Sequence, residues 1–300
     1  MVFYKTKKEE METPIIVFSV NNEFTSYLMV ALRTLGRENK YTIDIYIIYS
    51  DLSVENLTLL EKICDDFNYK LKSIKIDSSM FDGAPEMGHL KIETYYRLAI
   101  PNLVQAKKAL YLDCDIYING NIKDIFDINL DNFPIAAVKD PGFQPLEKLK
   151  MSASASYFNA GVLLINLEYW RKINLSKIAL EFAINNTEIL SYADQCALNA
   201  TINGNYYSLK NIYNFQSGHI LNGDKEQLEE LKNSKIIHFT GSFKPTHFLN
   251  KHPFKEEYMK EFRNTPDYYR FKFKNFVRIF LQYIYLESLP SLARKYRLIK

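Results

Sequence analysis

Two aspartates separated by one residue, Asp113 and Asp115, directly follow the short apolar run 110–112. In an extended chain, residues i and i+2 project to the same side, so both carboxylates would face the same space. Two neighbouring anions repel each other unless a cation lies between them, and carboxylate oxygens suit Mg²⁺ or Mn²⁺. Such an ion can bridge the protein to a diphosphate and take up charge as the phosphate leaves. The pattern also occurs in solvated turns, but acids directly after a buried strand need a partner.

A second group of polar residues, His238, Gly241 and Lys244, follows the apolar pair Ile236 and Ile237. A histidine that ends a strand can bind a metal, although in an apolar run it is more often an ordinary core residue. Lys244 is a point charge of the type that binds phosphate, the alternative being a solvated lysine. Gly241 permits a close approach of the backbone to a ligand.

The turn after the first predicted strand carries Asn21, Asn22 and Glu23. This is a natural position for a nucleotide, because the N–H groups of the following helix are exposed there. Neither GxGxxG nor GxxxxGK[ST] occurs, so the sequence does not support dinucleotide binding of the Rossmann type or P-loop hydrolysis. The hydrolase pattern GxSxG and the zinc-protease pattern HExxH are also absent from the sequence.

Strands and helices alternate along the chain, which predicts an α/β fold with a mostly parallel central sheet. The predicted strands are residues 14–20, 43–49, 71–76, 108–112, 135–138, 161–166 and 236–239, the last of which is expected to close the sheet. The predicted helices are residues 24–37, 53–67, 92–98, 167–185 and 194–201, and residues 142–156 are expected to form a mobile loop. Ligands bind at the carboxyl ends of strands in such sheets, which is where the polar groups fall.

The composition bounds the class of protein. Of 300 residues, 47% are apolar and 24% charged, which is ordinary for a globular protein, and the net charge of +3 gives no indication of nucleic-acid binding. The three cysteines are odd in number and form no CxxC pair, which favours a reducing compartment. Cys114, between the two acids, should point to the buried face as a structural thiol rather than act as a ligand. Residues 1–13 do not form a secretory signal, so the cytoplasm is the expected location.

Six segments in a fixed order carry a resemblance to a known family. They comprise residues 15–24, 94–98, 109–115, 157–167, 194–199 and 238–245. Two are specific: Phe-Asn-Ala-Gly followed by an apolar strand, and His-Phe-x-Gly-x-x-Lys-Pro. The chain resembles glycosyltransferase family 8, especially the bacterial enzymes that add sugars to lipooligosaccharides. The resemblance implies a single Rossmann-like nucleotide-diphosphosugar transferase domain of the GT-A type.

The same resemblance implies the reaction and its metal. The donor would be UDP-glucose or UDP-galactose, and transfer would retain the anomeric configuration. Asp113, Asp115 and His238 would hold Mn²⁺, or Mg²⁺, together with the donor diphosphate. Lys244 and Gly241 would contact the phosphates.

The nucleotide side of the implied site includes three departures from the family pattern. Asn21 and Glu23 would hold the uridine, and Phe24 would lie against the uracil face. An Asp is usual where this chain has Asn21, but an amide offers both a donor and an acceptor. A Tyr is usual at Phe24, and stacking needs only the ring. Thr246 stands where a Trp is frequent, which affects the loop expected to cover the donor.

The implied sugar side supplies the candidates for catalysis. Its members are Asn159 and Ala160 along the sugar, Asp140 and Asp194 on its hydroxyls, Arg97 reaching the donor, and Gln195 on the face where a nucleophile would be sought. Gln195 is neutral and a poor nucleophile, whereas Asp194 is chemically better but suited to binding hydroxyls. Front-face attack with departing UDP as the base is therefore the favoured hypothesis, and double displacement is the alternative.

Two other classes of function are weighed against the transferase. A Mg²⁺-dependent nucleotidyltransferase or phosphohydrolase would use the same two acids, but it needs a phosphate loop that the turn at Asn21 does not supply. A non-catalytic protein would bind a UDP-sugar or a glycan. The intact set of Asp113, Asp115, His238 and Lys244 argues against that alternative.

Three regions are expected along the chain: a flexible segment at 1–13, the catalytic domain at 14–265 and a helical, basic, aromatic tail at 266–300. Residues 270–300 contain eight Lys or Arg and one acid, Glu287. The apolar part of the tail is too short to span a bilayer but suits the surface of an anionic membrane. A helix packed on the domain and a dimer contact are the alternatives. A lipid-linked or cell-envelope glycan would be a suitable acceptor.

Overall fold

The computed structural model describes residues 12–88, 90–142, 144–216, 224–241, 244–247 and 250–270. The first half alternates strands and helices as predicted. In order, these are β1 (Ile15–Ser19), α1 (Thr25–Glu38), β2 (Asp44–Tyr49), α2 (Val54–Asp66) and β3 (Lys70–Lys75). The three strands pair in parallel, and Ser53 caps α2 by accepting a hydrogen bond from the backbone N–H of Asn56 at 3.2 Å.

The middle of the chain supplies the strands that carry the acids. A 3₁₀ helix (Ile92–Ala99) leads into α3 (Ile100–Leu103), so Pro101 restarts a helix rather than ending one. Four strands follow: β4 (Lys108–Leu112), β5 (Ile116–Ile118), β6 (Ile135–Lys139) and β7 (Phe158–Asn166). β7 begins three residues before its predicted start and pairs antiparallel with both β4 and β6.

The remaining helices and strands follow β7 along the chain. They are α4 (Leu167–Ile173), α5 (Leu175–Asn185), α6 (Ala193–Ile202), β8 (Tyr207–Ser208), β9 (Phe215–Gln216), α7 (Lys225–Asn233), β10 (Ile236–His238) and α8 (Lys255–Arg263). The single helix predicted for 167–185 is wrong in one respect. Asn174 adopts a left-handed conformation (φ 55°), which Asn tolerates, and divides that helix into α4 and α5.

The main sheet has seven strands in the order β3-β2-β1-β4-β7-β6-β8. Four of its six pairings are parallel, so the prediction of a mostly parallel α/β sheet is confirmed. The expectation that the strand ending at His238 closes this sheet is wrong. β10 instead joins a separate three-stranded sheet in the order β5-β10-β9, antiparallel to β5 and parallel to β9.

Alternate residues of β4 face two different cores. Leu110 and Leu112 pack in the layer that contains α1 and α2, whereas Ala109 and Tyr111 pack against the layer of α5 and α6. The acids therefore start from a strand buried on both faces. Between residues 142 and 156, the described residues form turns without a regular element, and mobility there stays a prediction.

Within the described part of the chain, every helix is too short or too polar to cross a bilayer. Nearly all of the predicted basic tail, residues 271–300, lies outside the described residues. The proposed division at 1–13, 14–265 and 266–300 stays a prediction.

Candidate active site

Three side chains predicted to bind a metal lie together at the carboxyl end of β4. Asp113 follows β4, Asp115 precedes β5, and His238 ends β10, which runs antiparallel to β5 with His238 opposite Ile116. His238 Nε2 is 3.4 Å from an oxygen of Asp115 and 3.7 Å from an oxygen of Asp113. One ligand atom from each residue lies within 4.8 Å of the other two.

This donor set fits a hard divalent cation. Two carboxylates and one imidazole are ligands that Mn²⁺ and Mg²⁺ accept, and three protein ligands leave coordination positions for the oxygens of a diphosphate. Asp115 and His238 are buried, while the side chain of Asp113 is 25% exposed. The cluster is therefore enclosed by protein on one side and accessible on the other.

Gly161 makes this arrangement sterically possible. It lies in β7, and its carbonyl accepts the backbone N–H of Asp113 at 2.8 Å. A Cβ at this position would lie 2.1 Å from His238 Cε1 and 2.7 Å from an oxygen of Asp113. Any larger residue would displace a ligand, so the last residue of the Phe-Asn-Ala-Gly motif is a requirement of the candidate site.

Lys244 reaches the same cluster from the segment after β10. Its ammonium group forms an ion pair with Asp115 and donates to the carbonyl of Phe239 at 2.8 Å. Burial alone would raise the pKa of Asp115, but the charge of Lys244 and the imidazole of His238 outweigh it and hold that pKa well below its ordinary value. Asp115 is consequently ionised throughout the neutral range. Gly241, between His238 and Lys244, has a φ of 84°, which glycine adopts without strain.

Arg97 is buried between the candidate metal ligands and the predicted sugar side. Its guanidinium donates to Asp113 at 3.1 Å, lies 2.9 Å from Asp194 and donates to the carbonyl of Ala160. The guanidinium carbon lies over the ring of Tyr111, 4.5 Å from its centroid, and the Tyr111 hydroxyl donates to Asp113 at 2.6 Å. Burial opposes the charge, but Asp113 and Asp194 outweigh it and raise the pKa of Arg97. Arg97 thus orients both acids.

Asp194, at the start of α6, is 3% exposed. Burial raises its pKa to about 6, with Arg97 acting in the opposite direction. The single positive charge of Arg97 is shared between Asp113 and Asp194, and Asp113 is the more exposed of these two acids. The carboxyl of Asp194 therefore takes up a proton at a higher pH than an ordinary aspartate does.

Hydrogen bonds of side-chain amides connect the residues of the predicted sugar side to one another. Gln195 donates to Asp140 at 3.1 Å, and its oxygen accepts from the backbone N–H of Ala160 at 3.0 Å and from the amide of Asn159 at 3.3 Å. The oxygen of Asn159 accepts from the backbone N–H of Gly161 at 3.0 Å. The structure therefore brings together the sugar-side residues that the resemblance implied.

Asn21 has a structural role in the first turn. Its oxygen accepts the backbone N–H groups of Glu23 and Phe24, each at 3.1 Å, and its amide donates to Glu93 at 3.1 Å. The ring centroid of Phe24 lies 5.4 Å from that of Tyr27. This turn lies at the same sheet edge as Asp113 because β1 and β4 are parallel neighbours.

Two positions singled out from the sequence make contact with the elements on either side of this turn, β1 and α1. Cys114 is 4% exposed and donates its thiol to the carbonyl of Ser19 at 3.1 Å, so its side chain is buried as predicted. Burial raises the pKa of the Cys114 thiol well above its ordinary value, which disfavours a thiolate ligand. Thr246 shares a 2.9 Å hydrogen bond with Tyr27, so the Lys-Pro segment contacts α1.

Three contributors were not identified from the sequence as site residues: Tyr111, Gly161 and Asn214. Gly161 is part of a quoted motif, so its place beside Asn159 and Ala160 was a usable signal. Tyr111 looked like an ordinary strand residue. Asn214, which contacts His238, lies outside every motif and had no signal in a single sequence.

The comparison with known families decides the assignment. Residues 15–250 match the family described as glycosyl transferase family 8. The chain belongs to glycosyl transferase family 8. It is therefore a glycosyltransferase, and the resemblance inferred from six segments is confirmed, as is the GT-A-like fold.

Curated relatives agree with the family. This glycosyltransferase is 30% identical over 246 residues to general stress protein A of Bacillus subtilis (strain 168), covering 77% of this chain and 85% of the relative. It is also 30% identical to glycosyltransferase GlyB of Streptococcus pneumoniae serotype 4, covering 82% of this chain but 61% of that protein. The chain thus spans most of the first relative and under two thirds of the second.

Solved structures share the fold of this glycosyltransferase. Galactosyltransferase LgtC, crystallised with donor and acceptor sugar analogues, superposes with a TM-score of 0.74 at 23% identity, covering 84% of this chain and 96% of LgtC. The apo form of GlyE from Streptococcus pneumoniae superposes with a TM-score of 0.67, also at 23% identity, covering 83% of this chain and 60% of GlyE. At this level of identity the likeness concerns the architecture.

Proposed function

We propose that this glycosyltransferase moves glucose or galactose from UDP-glucose or UDP-galactose to an acceptor hydroxyl, with Mn²⁺ and with retention of the anomeric configuration. The observation that carries the proposal is the convergence of Asp113, Asp115 and His238, whose ligand atoms lie within 4.8 Å of one another. A bound Mn²⁺ or Mg²⁺ would neutralise charge on the diphosphate of the donor.

Different residues bind the uridine and the diphosphate in this proposal. The turn formed by Asn21, Glu23 and Phe24 holds the uridine, with Phe24 available for stacking. Lys244 turns from Asp115 to the departing phosphate oxygen and stabilises its negative charge, as a preorganised cation does. Gly241 leaves room for this approach because a Cβ there would have no neighbour within 4 Å among the described residues.

The sugar lies, in this proposal, beside β7 and the start of α6. Asp140 and Asp194 bind its hydroxyls, while Asn159 and Ala160 line its edge. The raised pKa of Asp194 suits it to this task, because the ionised carboxylate accepts a hydrogen bond from a sugar hydroxyl and its protonated form, more accessible than in an ordinary aspartate, can donate one. Arg97 fixes the position of Asp194 relative to the metal ligand Asp113.

The hydrogen bonds of Gln195 favour front-face attack over double displacement. Its amide oxygen already accepts from two N–H groups, those of Ala160 and Asn159, and its nitrogen donates to Asp140. A neutral oxygen engaged in this way is a poor nucleophile. The acceptor hydroxyl would therefore attack from the face that UDP leaves, and the departing phosphate oxygen would take its proton.

The acceptor in this proposal is a cell-envelope or lipid-linked glycan. LgtC is a galactosyltransferase whose structure holds donor and acceptor sugar analogues, and the relatives include glycosyltransferases of streptococci. A cytoplasmic location and contact of the basic tail with an anionic membrane surface are parts of the same proposal. Nucleic acid is not among the proposed partners.

A donor screen tests the assignment. Purified protein is mixed with UDP-glucose or UDP-galactose, with Mn²⁺ or with a chelator, and release of UDP is measured. The expected result is slow hydrolysis of one donor that requires Mn²⁺. Tight binding of UDP with no turnover of either donor, even with oligosaccharide acceptors present, would instead indicate a binding protein.

Substitutions at the proposed metal ligands and at Gln195 distinguish the role of the metal site from that of the sugar face. Asp113→Ala or Asp115→Ala is expected to abolish nearly all UDP release, because each removes a metal ligand. Gln195→Ala is expected to retain measurable activity, because front-face attack requires no nucleophile there. A Gln195→Ala enzyme that binds UDP normally but is completely inactive would favour double displacement.

A further inference from the structure

Asn214 connects the sugar-side amides to the histidine of the metal cluster. It lies immediately before β9 and is 1% exposed. Its amide nitrogen donates to the oxygen of Asn159 at 2.9 Å, and its oxygen lies 3.1 Å from Nδ1 of His238. Both the nitrogen and the oxygen of the Asn214 amide therefore contact residues of the candidate site.

The backbone N–H of Gly161 identifies which side-chain atoms of Asn159 and Asn214 are the amide oxygens. The N–H of Gly161 donates to the side chain of Asn159 at 3.0 Å, so the atom that it meets must be the oxygen. That oxygen also faces the side chain of Asn214 at 2.9 Å, so the facing atom of Asn214 must be its nitrogen. The orientation of both amides follows from hydrogen-bond chemistry, since oxygen and nitrogen are similar in shape.

The orientation of Asn214 determines the tautomer of His238. Because Asn214 presents its oxygen to Nδ1, that ring nitrogen must carry a proton. In the neutral imidazole the lone pair then lies on Nε2, the atom that faces Asp113 and Asp115. A carbonyl oxygen on the far nitrogen is the usual device that orients a metal-binding histidine.

We propose that Asn214 is a positioning residue that fixes the ring orientation and the Nδ1–H tautomer of His238, and so prepares Nε2 as a metal ligand. The inference rests on the proposed metal-dependent function. Asn214 touches neither the donor nor the metal in this proposal, and it acts only through His238 and Asn159.

The two hydrogen bonds of Asn214 can be separated by substitution. Asn214→Leu removes both bonds and leaves the buried Nδ1–H of His238 without an acceptor. Asn214→Asp keeps an oxygen toward His238 but loses the donor to Asn159. Asn39→Leu is a matched control, because Asn39 is also 1% exposed and accepts the backbone N–H of Ile122 at 2.9 Å, but lies at the C-terminal end of α1, opposite the turn that contains Asn21.

The first experiment measures Mn²⁺ affinity in the presence of saturating UDP, from the electron paramagnetic resonance signal of free Mn²⁺. Asn214→Leu is expected to bind Mn²⁺ about 10- to 100-fold more weakly, as found when partners of metal-binding histidines are removed. Asn214→Asp and Asn39→Leu are expected to bind close to the wild-type affinity. Folded Asn214→Leu protein with unchanged affinity, or equal losses in the Leu and Asp variants, would overturn the proposal.

A second experiment uses only the wild-type protein and does not depend on a variant folding. Proton–nitrogen correlation spectra of the histidine rings, with His238 assigned by comparison with His238→Gln, report which nitrogen carries a proton. A protected proton on Nδ1 of His238 is expected, and an Nδ1 without a proton would refute the role of Asn214. If wild-type protein fails to bind Mn²⁺, the proposed function fails, while the spectra still decide the position of this proton.

Discussion

Gly161 and His238 occupy adjoining space, such that a methyl group on Gly161 would lie 2.1 Å from Cε1 of the imidazole. The imidazole cannot easily move away, because it is 4% exposed and bonded through Nδ1 to Asn214. The absence of a side chain at position 161 is therefore part of the geometry of the metal cluster.

Gly161→Ala is expected to displace His238 or Asp113 and to abolish Mn²⁺-dependent release of UDP. Overpacking of this type typically costs about 1–3 kcal/mol in the free energy of unfolding. Urea denaturation and the UDP-release assay measure the two effects. Gly120→Ala is the matched control, because a Cβ there would meet its nearest neighbour, Lys235, at an ordinary 3.5 Å. Wild-type activity in Gly161→Ala would contradict the steric argument.

Arg97→Met is expected to destabilise the fold by about 3–5 kcal/mol, because it leaves a buried acid without its cation. Adding Asp194→Asn to Arg97→Met should restore part of this loss, since the unpaired charge is removed. Arg263→Met is the control: its ion pair with Glu256 is exposed, and the expected change is below about 1 kcal/mol. Denaturation midpoints of the four proteins provide the measurement.

The outcome for Arg97→Lys further tests the geometry at this position. A lysine keeps the charge but cannot donate simultaneously to Asp113, Asp194 and the carbonyl of Ala160. We expect Arg97→Lys to lie between the wild type and Arg97→Met in stability and to lose most of its activity. Full activity in this variant would show that charge alone, without the planar guanidinium, is sufficient.

Lys244→Met is expected to weaken binding of UDP by at least about tenfold, since a hydrogen bond to a charged group contributes about 1.5–3 kcal/mol. Binding of uridine, which lacks the diphosphate, should be unchanged. Calorimetric titration with both ligands separates the two cases. Lys235→Met removes an ion pair with Asp124 instead and should leave both affinities unaltered. An equal loss for uridine and UDP would argue against a phosphate contact by Lys244.

His252 makes stability depend on pH. Burial lowers its pKa to about 4 from 6.5, so the unfolded chain binds a proton at a higher pH than the folded protein does. The stabilisation is present above pH 6.5 and is lost as the pH falls toward 4, with a maximum of about 3 kcal/mol.

His252→Asn should reduce this dependence, because it cannot titrate but can still accept the backbone N–H of Phe254, which His252 accepts at 3.0 Å. The measurement is the free energy of unfolding at intervals from pH 7 to pH 4 for both proteins. The slope of the wild type in that interval should exceed the slope of the variant. Identical slopes would show that His252 titrates normally.

The positions of most strands and helices were predictable because hydrophobic periodicity is a local property. Residues 110–112 formed a buried strand and the two acids followed at its end, as the pattern indicated. The strand that ends at His238 shows what a local pattern does not predict. Its sequence predicts a strand, but its partners β5 and β9 are distant in the chain, so the local pattern does not show that it joins a second sheet.

The sequence by itself predicted the family, the alternation of strands and helices, and Asp113, Asp115 and His238 as candidate metal ligands, because motifs and hydrophobic periodicity depend only on the order of residues. Only the tertiary structure showed that Gly161 must lack a side chain and that Asn214 orients the imidazole of His238. These roles depend on contacts between distant strands, and the distance between two such side chains is set by packing and pairing rather than by their spacing in the chain.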